Sequence, residues 1–277
     1  MTVDAELVKV GNNIIRNQGA QLWLPDYVMP DQLNTEIPTE EEIFDQSSIQ
    51  LYPIGSQLRK FDKIYRYCKA GAAMSAAGFL KGNYFLCPGS AGNSANSGFE
   101  GAFYAAVTAG DTSFSIADTA AAKNEYENAY LVVYDSTNNI FDNYTVIGND
   151  VTNATTTKLY IASPGFKNDY TTSIGITIYR SPYMGIRAMT GGYMSALGWA
   201  KMAITSAYFF WLQTAGPISG VTGASTWPGQ TQYYRDVYSN TDGSLIGYTA
   251  GYQRVGYLLS RTASDYGDNF VMLQLDQ

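Results

Sequence analysis

The chain has 277 residues, 45% of them hydrophobic, with 23 tyrosines, no histidine and a formal net charge of −7. Histidine is the usual acid–base group near neutral pH and the commonest metal ligand, so without it most triad and zinc mechanisms must be built from weaker parts. No basic stripe exists to neutralise phosphates, which argues against nucleic acid, and the longest apolar run, AYFFWL at 207–212, is far short of the roughly 20 residues a membrane helix needs.

The charge is unevenly placed. Residues 1–50 hold nine acids against Lys9 and Arg16, while residues 51–277 balance 15 acids with 15 bases, so the whole excess lies in the first 50. The opening MTVDAELVKV has no apolar stretch behind a basic start, and no secretory signal is expected there. Leu7, Val10 and Ile14 have helical spacing, weakened by Gly11, Asn12 and Asn13. Pro25, Pro30 and Pro38 break the next stretch into extended pieces. Thr39 with Glu42 forms a capping box, and Glu40, Glu41 and Glu42 favour the positive end of a short helix ending near Gln46. Residues 1–50 therefore read as an acidic N-terminal arm, either docked on a basic surface of another subunit or simply solvated. Residues 51–277 read as a β-rich body, with any subdivision expected near 181–200.

Residues 66–80, RYCKAGAAMSAAGFL, are ambiguous: alanine content favours helix, while Gly71 and Gly78 favour turns between short strands. GSAGNSANSGFEG at 89–101 is a polar small-residue loop. From about residue 103 the period is two. AYLVVYD (129–135) puts Tyr130, Val132 and Tyr134 on one face and Leu131 and Val133 on the other. A turn at STNN leads to FDNYTVI (141–147) as the returning strand. KLYIA (158–162), IGITIYR (174–180), RVGYLLS (254–260) and NFVMLQL (269–275) continue the pattern, as in an antiparallel β-sandwich or barrel. In AYFFWLQTAGP (207–217) both faces are apolar, Tyr208, Phe210 and Leu212 on one and Phe209, Trp211 and Gln213 on the other. Tyr208, Phe209, Phe210 and Trp211 are thus candidates for the core or for a subunit seam, with Gly216-Pro217 as the strand's end.

The chain contains none of the common catalytic or cofactor motifs. Two carboxylates suffice for a glycosidase, and Asp135, Asp142, Asp150, Asp236, Asp242, Asp265 and Asp268 supply candidates, but most sit in turn-forming contexts. NTDGS (240–244) and DYGDN (265–269) lack the full ligand spacing of a calcium loop. No catalytic residue, metal or cofactor is expected. Cys68 and Cys87 are too few for a disulfide scaffold and read as buried thiols of a protein made in the cytoplasm, with their pairing left open.

Three segments together resemble a family of tailed-bacteriophage virion proteins: PIGSQLRKFDKIYRYCKAGAAMSAAG (53–78), the hairpin AYLVVYD–NYTVIGND, and AYFFWLQTAGP with the closing DGSLIGYTAGYQRVGYLLSRTASDYGDNFVMLQLD (242–276). Proteins of this kind are similar to capsid decoration, or cement, proteins. The resemblance implies a β-rich homotrimer on the capsid exterior that staples neighbouring copies of the major capsid protein, and it favours strands over helix at 64–70. It does not extend to residues 1–50 or to the Ser/Tyr-rich stretch between Gly220 and Asn240. Under it, Glu40, Glu41 and Glu42 become candidates for lattice docking. A tail, baseplate or glycan-binding virion component is the alternative, with Tyr233, Tyr234 and Tyr238 as its candidate sugar-stacking cluster.

Overall fold

The computed structural model describes residues 8–9, 14–17, 19–25, 27–28, 36–83, 98–135, 138–191, 194–223, 235–260 and 269–276. Nearly all regular structure in them is strand, and the β-rich, barrel-like expectation holds. The first third of the chain carries β1 (Val8–Lys9), β2 (Ile14–Asn17), β3 (Ala20–Trp23), β4 (Tyr27–Val28), the helix α1 (Glu40–Ile43), β5 (Gln46–Ser47), β6 (Gln57–Lys60), β7 (Lys63–Ala70) and β8 (Leu80–Asn83). The middle carries β9 (Phe99–Ala102), β10 (Ser113–Ile116), β11 (Ala129–Asp135), β12 (Ile140–Asn149), β13 (Thr157–Ile161) and β14 (Gly175–Tyr179). The last third carries β15 (Met184–Ala188), β16 (Ser195–Trp199), β17 (Phe209–Ile218), β18 (Asp236–Ser239), β19 (Leu245–Ile246), β20 (Arg254–Ser260) and β21 (Phe270–Gln274). The chain divides into two compact units, one made of Met1–Gly11, Pro25–Leu33 and Leu86–Ser181, the other of Asn12–Leu24, Asn34–Phe85 and Pro182–Gln277.

The first unit is built on one curled antiparallel sheet in the order β10-β13-β12-β11-β14-β9, with β1 and β4 as a separate pair. Period-two patterning sets its faces. Leu131 and Val133 are fully buried beside Val146, Leu159, Ile161, Ile176 and Ile178, while Tyr130 and Tyr134 point to solvent, as the alternation of AYLVVYD predicts. Asn139, at positive φ, closes the hairpin between β11 and β12. The polar loop expected at 89–101 lies largely outside the described residues; from Phe99 on it belongs to β9, which pairs with β14.

In the second unit, β7, β15, β8, β16 and β17 close on themselves, because β17 pairs with both β16 and β7. The result is a five-stranded barrel. Its filling includes Cys68, Ala70, Met74, Ile186, Ala200, Ile204, Phe210 and Leu212. The alanine-rich stretch after residue 63 is thus a strand up to Ala70, then a turn region bridged by Met74 to Ile204. Tertiary pairing outweighs helix propensity here, since as a strand it puts Cys68 and Ala70 on the barrel side, and Tyr65 and Tyr67 on the other face. Strands β6, β3 and β2 extend the sheet beyond β7, and β21, β20, β18 and β19 extend it beyond β17.

Two expectations are corrected. The segment expected as an arm is partly sheet: β2 and β3 form a hairpin, β3 pairs with β6, and Leu22 stands opposite Leu58, both without exposed surface. The acidic composition hides a short inward alternation of Ala20, Leu22 and Leu24, all buried. Gly216-Pro217 does not end its strand either. After a bulge between Gln213 and Ala215, β17 leaves β7 and continues to Ile218 against β21, with Pro217 opposite Met272. Pairing with β7 has already stopped at Ala215–Ile64, so Pro217 takes no ladder place on that side. Gly216 makes the crossing with φ of 95°, and a Cβ there would lie 2.3 Å from the Asp62 carbonyl oxygen. Gly216→Ala is expected to destabilise the unit by roughly 1–3 kcal/mol; urea denaturation followed by tryptophan fluorescence checks this, and an unchanged midpoint would contradict it.

Candidate functional site

The segment after Pro38 is laid against the outer face of β7 and β17. Thr39 caps α1: its side chain accepts from the Glu42 backbone N–H at 3.3 Å, and its own N–H donates to Glu42 Oε2 at 2.7 Å. The helix stops at Ile43, short of the expected Gln46, because Gln46 and Ser47 pair as β5 with Phe210 and Phe209 of β17. This docking brings the acidic helix to the aromatic strand.

Along β17, residues 209–214 are all buried, so both faces are covered as the two-sided apolar pattern anticipates. Phe210 and Leu212 enter the barrel. Phe209 and Trp211 lie on the opposite face beside their cross-strand partners Lys69 and Tyr67. Trp211 meets Tyr67 at 5.0 Å and Tyr52 at 5.2 Å between ring centroids, with planes inclined by 59° and 58°. Tyr52 meets Tyr67 edge-on at 5.2 Å, and Tyr67 stacks on Phe209 at 6.1 Å. Tyr208, just before the strand, is half-buried.

Over these rings lies a pocket of about 100 Å³. Tyr52, Tyr67, Phe209 and Trp211 line it together with the acids Glu36, Glu42 and Asp45, and no lysine or arginine is among the lining residues. The Tyr52 hydroxyl donates to the Glu36 carbonyl at 2.8 Å, and the Leu51 N–H donates to the Tyr67 hydroxyl at 3.0 Å, which fixes both rings. Burial first, then the negative fields of Glu42, Tyr67 and Glu36, push the Tyr52 hydroxyl well above the ordinary tyrosine value. Glu42 uses one carboxylate oxygen on the Thr39 N–H and Asp45 uses one on the Gln46 N–H at 2.7 Å, and both residues are exposed. Of the other candidate docking acids, Glu40 reaches Lys60 at 3.6 Å and Glu41 is exposed. Chemically, the arrangement offers aromatic surface under a negative rim, which suits binding of a cation.

The first unit presents a second feature. Tyr130 stands opposite Tyr179, and Tyr134 opposite Phe141, on the solvent face of the sheet. All four rings are exposed, from 38% at Tyr179 to 66% at Phe141. The Tyr134 ring lies over Gly175 on the neighbouring strand, where a side chain would collide with it.

The aspartates considered for catalysis are mostly engaged as structural acceptors. Asp142 is in a strand, not a turn, and accepts from the Tyr170 hydroxyl at 2.6 Å and Asn168 at 2.8 Å. Asp150 accepts from Tyr160 at 2.7 Å, and Asp135 holds Asn138 in the hairpin turn. Asp236 pairs with Arg254 at 2.8 Å, and Asp242 holds Ser244. Asp265, Asp268, Tyr233, Tyr234 and Cys87 lie outside the described residues. Tyr238 packs edge-on against the exposed Tyr248. Cys68 is a buried free thiol, its pKa pushed up by burial. Among the described residues no three His, Cys, Asp or Glu side chains are placed to hold a metal ion, and no helix is long and apolar enough to cross a membrane.

The residues that sequence reasoning missed are Glu36, Asp45, Tyr52 and Tyr67. A signal for Tyr67 does exist: Tyr65, Tyr67 and Lys69 alternate with Arg66, Cys68 and Ala70, which is strand patterning inside the segment whose composition favours helix. Compared with known proteins, the chain matches no family model, no curated protein and no solved structure.

Proposed function

We propose that the chain is a virion structural protein, a capsid decoration protein that binds the major capsid lattice from outside as a homotrimer after synthesis in the host cytoplasm. The observation that carries this reading is the row of solvent-facing rings on the first unit, Tyr130, Tyr179, Tyr134 and Phe141. Exposed aromatics in register on adjacent strands are the material of contact surfaces, since they bury large area with few rotatable bonds. The resemblance of 53–78, the central hairpin and the closing strands to phage decoration proteins points the same way, as does the acid-rimmed aromatic pocket. On this reading the protein binds and does not catalyse. Several modest contacts per trimer act at high effective concentration, so that the lattice is stapled by avidity.

Mixing the purified chain with mature heads that lack it tests the proposal. Co-sedimentation is expected to saturate at a multiple of three copies per lattice site. Heads that stay bare at saturating protein would contradict it. The same exposed rings also favour the alternative, a tail or receptor-binding component that stacks sugars on Tyr130 and Tyr179; binding on a glycan array, with bare heads, would establish that instead.

A further inference from the structure

The pocket over β17 has three properties that together select a ligand. Its rim carries Glu36, Glu42 and Asp45 with no base among the lining residues, so an anion is repelled and a cation drawn in. Its floor is aromatic, which suits a weakly hydrated organic cation rather than a hard metal ion that requires a shell of oxygens. No three carboxylates among the described residues are placed to hold such an ion. Its rings are mutually inclined by 58–74° where Tyr52, Tyr67 and Trp211 meet, so it offers a corner rather than a flat slot. A planar guanidinium prefers to lie along one face; a compact ammonium fits a corner. At about 100 Å³ there is room for the end of an alkylammonium chain.

The surroundings already use this chemistry. Lys69 places its Nζ 5.4 Å from the centre of the Phe209 ring, and Lys201 places its own 4.4 Å from that of Phe44, at the end of α1. Neither lysine lines the pocket.

We propose that this pocket receives the ammonium end of a lysine side chain from a partner polypeptide, with the charge held by Glu42 and Asp45 and the methylenes resting on Tyr67, Phe209 and Trp211. Identifying that partner with the capsid lattice rests on the function proposed above; the ammonium specificity does not.

The test titrates n-butylammonium, a lysine side-chain mimic, into the full-length chain and reads saturation-transfer NMR, with n-pentanol as the neutral control. Binding is expected to saturate with Kd on the order of millimolar, as suits a five-heavy-atom ligand. In the double variant Glu42→Gln, Asp45→Asn it should weaken about tenfold or more, since the loss of even one of the two charge-assisted contacts is worth about that much. Glutamine at 42 keeps the capping box and asparagine at 45 keeps an acceptor for Gln46, so melting should be unchanged. No saturation, equal binding of n-pentanol, or full affinity in the double variant overturns the ammonium site, whatever the heads do. A working ammonium site in a protein whose double variant coats heads as tightly as the parent overturns the lattice lysine as its occupant.

Discussion

Trp211→Ala is expected to cost the barrel unit about 3–5 kcal/mol, the usual range for truncating a buried aromatic side chain. Trp211 is 5% exposed, in the strand that closes the barrel. Its ring is the shared neighbour of Tyr52 and Tyr67, and it also lines a smaller space with Ile43, Phe44 and Tyr65, so its loss opens a cavity that no single neighbour fills. Each aromatic pair adds roughly 0.5–1.5 kcal/mol beyond area burial. Trp211→Phe keeps part of this and should cost less. Because the chain has two units, the quantity to measure is the urea midpoint of the transition reported by this unit, not a single global value. A loss under about 1 kcal/mol would contradict the placement of Trp211 in the aromatic floor.

Lys81→Met is expected to stabilise the protein at pH 7 by about 1–3 kcal/mol, because it removes a buried charge that has no carboxylate partner among the described residues. Lys81 sits in β8, between β15 and β16 of the closed barrel, and has no exposed surface. Its Nζ donates to the Ala76 carbonyl at 2.6 Å and lies 5.9 Å from the centre of the Phe79 ring. Burial pushes its pKa down to about 8. Linkage sets the sign of the pH dependence. Below pH 8 both folded and unfolded chains carry the proton, and the fold bears the full desolvation cost. Between about 8 and the ordinary lysine value near 10.4, the unfolded chain holds more protons, so stability rises with pH. Above about 10 the buried tyrosines act the other way: Tyr52, Tyr126 and Tyr170 have raised values, chiefly from burial, so the unfolded chain ionises first and stability falls. The difference between parent and Lys81→Met, measured by urea denaturation from pH 7 to 10, isolates the lysine contribution. It should shrink toward zero as pH approaches 10; a difference that stays flat would contradict the placement of a charged lysine in the barrel wall.

Local patterns in the sequence carry much of this fold. The hairpin of β11 and β12 follows from strict alternation flanking a turn, and α1 follows from Thr39 and Glu42. Both depend only on residues near each other in the chain. The barrel does not. Its closure pairs Tyr67 with Trp211, and nothing local announces that pairing or the parallel register of β15 beside β7. For the same reason only part of the candidate site was legible. Glu42 and Trp211 stand out singly, one as an acid in a capping box and the other in an apolar strand. That they share a pocket is a consequence of β5 docking on β17, which two residues, Gln46 and Ser47, decide. The early strands β2 and β3 were hidden for a different reason: net negative charge describes the surface side of a segment and says little about Leu22 and Leu24, which face inward.

The central proposal, that this chain decorates a capsid, is tested most directly by electron cryo-microscopy of heads assembled without the protein and then incubated with it. Three-fold density is expected on the outer capsid surface at every equivalent site, with the Tyr130–Tyr179 face or the β17 pocket turned to the shell. Heads without added density, or density confined to the tail, would contradict it.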